Sequence, residues 1–232
     1  MPAEYVPDTP PVRPFNTYAP WKGDGEFWQL YTTVAGARCT VVDEFRAFEL
    51  WQLVHQLANR PLEAGGDILE VGVWRGGTTA ILAAAARRAG LAARVFACDT
   101  FEGVVKAGSN DPIYVGGEFR DTSAELASSL FASLGLSNIA VLKGVFPDET
   151  GSQLANRRFA LCHVDVDVYQ SAKEVVEWLW PRLVNGGLVV FDDYGFVECA
   201  GVAKFVDSCL RNRSDALTIH NLNGHAVVVK LG

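Results

Sequence analysis

The sequence predicts an α/β protein built on a doubly wound, mostly parallel sheet of seven strands that closes on a C-terminal antiparallel hairpin. Three observations predict it. Short apolar runs alternate with segments of helical periodicity from Ile68 to Arg211. Each run is almost continuously apolar, which marks strands covered on both faces. The last two runs flank Asn223-Gly224, a dipeptide suited to a tight hairpin turn.

The elements follow in order. Six of the ten prolines fall in the first twenty residues, so the chain start reads as an extended arm. That arm is set apart as residues 1–39, a lid or a strap across a second copy in a homodimer, with Trp21 and Trp28 exposed. The remaining residues, 40–232, read as one domain. Ala47, Leu50, Trp51, Val54, Leu57 and Ala58 keep helical spacing over Thr40–Asn59, with a stop at Pro61 and Gly65-Gly66. A strand at Ile68–Gly72 leads into an alanine-rich helix over Thr78–Arg88. Arg94–Asp99 is a strand, Thr100–Arg120 a polar loop, Thr122–Leu134 a helix, and Ile139–Leu142 and Phe159–Val164 are strands. Ala172, Val175, Val176, Leu179 and Leu183 form a helical stripe that ends at Asn185-Gly186-Gly187, where Trp178 and Trp180 pack. Leu188–Phe191 is a strand and Gly201–Arg211 a helix, and Leu217–Ile219 with Ala226–Lys230 make the hairpin.

Composition narrows the function. A chain of 232 residues suits one packed domain. The net charge of −7 and the absence of a basic stripe disfavour nucleic acid, and a small-molecule substrate is the better expectation. Five widely spaced cysteines without a C-x-x-C pair suit a reducing cytoplasm. No stretch approaches 18 uninterrupted apolar residues, so no membrane span is expected.

Candidate site residues cluster at the strand ends, where open α/β sheets bind ligands. Gly72, Gly76 and Gly77 let the turn after the first strand approach a ligand, and the helix from Thr78 presents free N–H groups. The spacing is G-x-x-x-G-G, not the dinucleotide G-x-G-x-x-G. Asp99, ending the second strand, is placed either to accept ribose hydroxyls or to cap a turn. Asp165, Asp167, Asp192 and Asp193 follow two strands expected to be neighbours. Four converging acids suit a hard divalent ion such as Mg²⁺ with an oxygen shell, and leave one carboxylate over as a base. Asp165, Asp192 and Asp193 fill the ligand role and Asp167 stands one shell out. Helix capping by these acids is the plainer alternative. His163 has the parity to face the cluster, although a strand histidine is more often structural.

With these residues in view, the chain resembles the macrocin O-methyltransferase (TylF-type) family. The resemblance rests on Glu70–Thr78, Asp99-Thr-Phe-Glu-Gly103, Asp165-Val-Asp-Val-Tyr-Gln-Ser171 and Gly186–Tyr194, in order and spacing, over about residues 43–206. It implies a class I, Rossmann-like S-adenosylmethionine fold, a Mg²⁺ ion and methyl transfer to a hydroxyl, usually on a sugar of a natural product. It also implies that Asp165, Asp192 and Asp193 bind metal and that Asp167 is the general base. Glu70, Gly72, Gly76 and Thr78 would form the methionine end of the cofactor site, and Asp99 the ribose contact. Val166 and Val104-Val105 depart from the family pattern, and the loop at 106–119, the expected acceptor lid, matches nothing. A catechol-type O-methyltransferase, a nicotinamide oxidoreductase and a non-catalytic binding protein remain as alternatives.

Overall fold

The computed structural model describes residues 17–60 and 66–232. The proline-rich start up to residue 16, Pro61 and Gly65 lie outside them. Seven strands form one sheet: β1 (Asp67–Val71), β2 (Val95–Asp99), β3 (Ile139–Lys143), β4 (Phe159–Val164), β5 (Leu183–Phe191), β6 (Ala216–His220) and β7 (Ala226–Lys230). Their order is β3-β2-β1-β4-β5-β7-β6. The first five run parallel, and β7 lies antiparallel between β5 and β6. This is the sheet the sequence predicts. The chain order reverses between β1 and β4, so their carboxyl ends open a crevice.

Alternate residues of each strand enter two separate cores. Ile68, Val95, Ala97, Leu161 and Val190 face one cluster, shared with α3 (Glu44–Ala58) and α4 (Gly77–Arg88). Leu69, Phe96, Cys162, Val164 and Val189 face the other, under α6 (Tyr169–Leu179) and α7 (Ala200–Phe205). This two-residue period, with apolar groups on both sides, explains the continuous apolar runs.

Three elements differ from the sequence expectation. Residues expected in the extended arm form α1 (Pro20–Gly23) and α2 (Gly25–Gly36). Asp24 caps α2 by accepting from the Phe27 N–H, and Phe27 and Val34, seven residues apart, are fully buried. Trp21 and Trp28 pack against the same core instead of standing free. Dense proline favours extended chain, but Pro20 sits in the first turn of α1, where a missing N–H costs nothing. The strand β5 starts at Leu183, five residues early, and Gly186 (φ +76°) turns it without breaking it. Finally, Gly201–Arg211 is an α-turn segment continued by a π-helix at Val206–Leu210. Trp178 and Trp180 pack as expected: one against Phe146 and Phe159, the other buried with its indole N–H on Asp215.

Candidate active site

The crevice at the strand ends holds a cavity of about 320 Å³. Its floor joins the two halves of the site through Gly72. That residue has φ +92°, and a Cβ there would lie 1.6 Å from the Asp165 carbonyl oxygen. Only glycine lets the turn after β1 pass so close to the end of β4. The Asp165 N–H donates to the Val71 carbonyl at 2.9 Å, which continues the parallel ladder to the site.

Around the glycine turn, Gly72, Thr78 and Asp99 line the cavity, whereas Glu70 and Gly76 do not. Glu70 is fully buried; one carboxylate oxygen accepts from the Thr79 hydroxyl and the other lies 2.9 Å from His163 Nδ1. Its place is behind the wall. Gly76 (φ +90°) caps α4, and a Cβ there would meet the Phe131 ring at 2.7 Å. Asp99 is a brace: Oδ2 accepts the Val73 and Trp74 N–H groups at 2.6 and 2.8 Å, and Oδ1 accepts the Phe101 N–H at 2.6 Å.

On the opposite side, Asp165, Asp192 and Asp193 offer carboxylate oxygens within 4.8 Å of one another. Burial and the charges of Asp192 and Asp193 raise the Asp165 carboxyl well above the usual range, and burial with Asp167 and Asp192 does the same to Asp193. Asp192 behaves oppositely. Burial would raise it, but His163, His225 and the Arg46 guanidinium outweigh that and hold it well below the carboxylate range. Arg46 Nη1 donates to Asp192 Oδ2, and His225 Nε2 lies 2.9 Å from Oδ1. Burial also opposes charge on His163, but contacts with Asp192 and Glu70 push its imidazole up to about 10.

Asp167 reaches the cluster by a route that strand parity does not describe. β4 ends at Val164, and Asp167 sits in a left-handed turn (φ +63°) with its N–H donating to Asp193 Oδ2 at 2.9 Å. Its Oδ1 accepts from the Tyr114 hydroxyl at 2.6 Å, and the Cys199 thiol lies 3.7 Å away. Burial lifts the Asp167 carboxyl to about 6 against the lowering effect of the Tyr114 hydrogen bond.

The donor set fits a hard divalent cation. Its three ligand candidates are oxygen-only and close, and no hydrogen bond reaches the Asp165 carboxylate among the described residues. Two carboxyls resist ionisation as they stand, and a cation between them would remove that resistance.

The sequence model of the family described as Macrocin-O-methyltransferase (TylF) matches residues 28–229. The chain belongs to this family. The TylF match runs from within α2 to within β7. A relative from Streptomyces olivaceus, named 8-demethyl-8-(2,3-dimethoxy-alpha-L-rhamnosyl)-tetracenomycin-C 4'-O-methyltransferase, is 37% identical over 145 residues, 58% of this chain and 55% of that one. Mycinamicin III 3''-O-methyltransferase from Micromonospora griseorubida is 30% identical over 146 residues, 58% of this chain and 57% of its own length. The chain thus spans about half the length of the curated relatives it matches. Among solved structures, the O-methyltransferase NovP superposes with a TM-score of 0.72 at 22% identity, covering 84% of this chain and 83% of that one. Calicheamicin methyltransferase CalS11 gives 0.70 at 18%, covering 99% and 100%. These establish the class I methyltransferase fold.

Against the TylF motifs, the structure adds four residues that sequence reasoning passed over: Arg46, Tyr114, Cys199 and His225. Arg46 lies within the expected first helix, where apolar spacing marks the buried face and carries no signal for a buried arginine. Tyr114 and His225 lie far along the chain from the acids they touch; Cys199 follows Asp193 by six residues but also meets Asp167, 32 residues away, and no spacing rule connects them.

Proposed function

We propose that this chain is an S-adenosylmethionine-dependent, Mg²⁺-dependent O-methyltransferase acting on a hydroxyl of a small molecule, a sugar of a natural product or glycoconjugate. The observation that carries the reading is the convergence of Asp165, Asp192 and Asp193 beside Asp167, across one cavity from the glycine turn. S-adenosylmethionine, when bound, supplies an electrophilic methyl on a sulfonium, and a divalent cation supplies positive charge that acidifies and clamps a hydroxyl. Asp165, Asp192 and Asp193 would hold the cation. Gly72 and Thr78 would admit and hydrogen-bond the methionine end of the cofactor, with Glu70 and Gly76 shaping that turn from behind. Asp99 would meet the ribose, sharing oxygens that already brace the turn.

Asp167 is the base. Its carboxyl stands near 6, so it is ionised at neutral pH yet basic enough to accept a proton from an acidified hydroxyl. Asp99, Asp165, Asp167, Asp192, Asp193 and Glu198 line the cavity together with Arg46, the only cationic side chain lining it among the described residues, a wall suited to a divalent cation and a sulfonium. Arg46 is already paired with Asp43 and Asp192.

Three further readings complete the proposal. The acceptor is a small molecule and not a nucleic acid. The protein works in a reducing cytoplasm, in keeping with five free cysteines and with no helix among the described residues long and apolar enough to cross a membrane. A homodimer is the third of them.

The test is methyl transfer from S-adenosylmethionine to glycosides bearing a free vicinal diol, with and without Mg²⁺. Asp167→Asn should bind Mg²⁺ and S-adenosylhomocysteine as the wild type does while losing turnover. Full turnover in that variant would remove the base assignment, and Mg²⁺-independent turnover would remove the cation.

A further inference from the structure

We propose that His163, His225 and Asp192 form a second metal site, rich in nitrogen, that takes a divalent first-row transition metal. It goes beyond the methyltransferase reading and does not depend on it. The sheet puts the three groups side by side. His163 lies on β4 opposite Val190 of β5, Asp192 follows β5, and His225 precedes β7, whose Ala226 pairs with Phe191. One ligand atom from each lies within 4.8 Å of the others, and all three residues are buried.

Both histidines are held in the same way. His163 Nδ1 lies 2.9 Å from Glu70 Oε1, and His225 Nδ1 lies 2.6 Å from Glu49 Oε2. The carboxylates are fixed in turn, Glu70 by the Thr79 hydroxyl and Glu49 by the Asn223 side-chain amide at 3.0 Å. A carboxylate on Nδ1 orients the ring and makes Nε2 the coordinating atom, the usual outer-shell arrangement of metal-binding histidines. Here it occurs twice around one carboxylate. Arg46 occupies Asp192 Oδ2, so Oδ1 is the atom that both rings face, at 2.9 Å from His225 Nε2 and 3.6 Å from His163 Nε2. Ligand atoms around an ion with bonds of about 2.0–2.2 Å stand about 3 Å apart, which matches this spacing.

A direct hydrogen bond to Asp192 would account for His225 alone. His163 makes no such bond: the residue is fully buried, its Nε2 has no hydrogen-bond partner, and it stands from Asp192 Oδ1 at an ion-pair distance of 3.6 Å. A buried nitrogen aimed at a carboxylate oxygen and a second imidazole has the position of a ligand. Two imidazoles and one carboxylate select Mn²⁺, Fe²⁺, Co²⁺ or Zn²⁺ over Mg²⁺. An ion there would pin Asp192 from below while Asp165 and Asp193 face the cavity.

The test titrates chelator-treated protein with Co²⁺ under saturating Mg²⁺, read by visible absorption, and with Zn²⁺ by calorimetry. One equivalent of each is expected to bind. Asp165→Asn, which removes an oxygen ligand of the cavity, should leave this binding intact. His225→Gln should abolish the Co²⁺ bands, and Glu49→Gln should weaken Zn²⁺ about 10–100-fold, the usual effect of losing an outer-shell partner. Circular dichroism and S-adenosylhomocysteine binding check that each variant folds. Should His225→Gln fail that check, the Glu49→Gln result decides. The proposal is overturned if wild-type protein takes up neither ion, if Glu49→Gln binds Zn²⁺ as tightly as wild type, or if uptake persists in His225→Gln and disappears in Asp165→Asn.

Discussion

The two halves of the crevice treat their acids differently. Beside β1 and β2, Asp99 accepts three backbone N–H groups and Glu70 is held between Thr79 and His163, so each carboxylate is already answered by the protein. Beside β4 and β5, Asp165 and Asp193 face each other and Asp192, and both resist ionisation. The first half is a finished hydrogen-bonded turn. The second is an acidic cluster that a bound cation would complete. The cofactor side therefore contributes to stability without ligand, and the acidic side works against it until an ion arrives.

The residue that couples the halves should show the largest effect. Gly72→Ala places a methyl group 1.6 Å from the Asp165 carbonyl oxygen, at a φ that disfavours side chains. No flexible group can yield, so β1 and β4 must separate at the site. We expect a loss of about 4 kcal/mol or more, the range of severe core damage, with Tm lowered by about 10 °C or more. Differential scanning calorimetry would measure it. A near-normal Tm would mean that the two halves are not rigidly joined.

Asp165→Asn should separate function from stability. A cation clamp is worth several kcal/mol to the reaction, so kcat/KM should fall about a thousandfold. Metal-free protein, in contrast, should melt higher than wild type, because the amide removes a carboxyl whose ionisation the fold opposes. A variant that is both inactive and less stable in chelator would contradict the contrast drawn between the halves.

That contrast also separates what the sequence reveals from what it hides. The sheet is legible because β1, β2, β4 and β5 are covered on both faces, which leaves unbroken apolar runs, and because Asn223-Gly224 marks the hairpin. Asp165, Asp167, Asp192 and Asp193 are legible because they end such runs. Their partners are not. His225 meets Asp192 only because β7 inserts between β5 and β6, and Tyr114 meets Asp167 only because the loop after β2 folds over the crevice. Local pattern reports which residues end a strand. It cannot report what the tertiary fold sets opposite them. The helices at 20–36 show a smaller failure: their capping Asp24 and the seven-residue spacing of Phe27 and Val34 are in the sequence, but prolines outweighed them.

Proton and metal should compete on the acidic side. Asp167 has a folded-state pKa of about 6, above its unfolded value, so the folded protein binds more protons and loses stability as pH rises from about 4 to 6. His163, pushed up to about 10, acts in the same direction between about 6.5 and 10: its contribution is whole below that window and lost across it. Asp192 has the opposite sign, but its contribution is lost only in stronger acid. Chelated protein should therefore melt at lower temperature at pH 8 than at pH 5.5. Mg²⁺ should raise Tm at pH 8 more than at pH 5.5, because protons hold the site at the lower pH. Equal gains at both values would show that the ion does not bind these carboxylates.

The smallest effect belongs to Tyr114→Phe. The phenol donates to Asp167 Oδ1 at 2.6 Å, and burial with the Asp167 charge keeps it protonated far above its ordinary pKa, so it acts only as a donor. Removing one such bond to a charged group is worth about 1.5–3 kcal/mol, or about ten- to a hundredfold in rate. The parameter that changes distinguishes two roles. A hydroxyl that holds Asp167 in place lowers kcat when lost and leaves KM unchanged. A hydroxyl that occupies the acceptor's own position on Asp167 must be displaced on binding, so its loss lowers KM and spares kcat. The left-handed turn at Asp167 and the hydrogen bond from its N–H to Asp193 already fix the backbone of this proposed base. The second pattern is therefore expected, and a kcat loss beyond tenfold would make Tyr114 part of the catalytic apparatus.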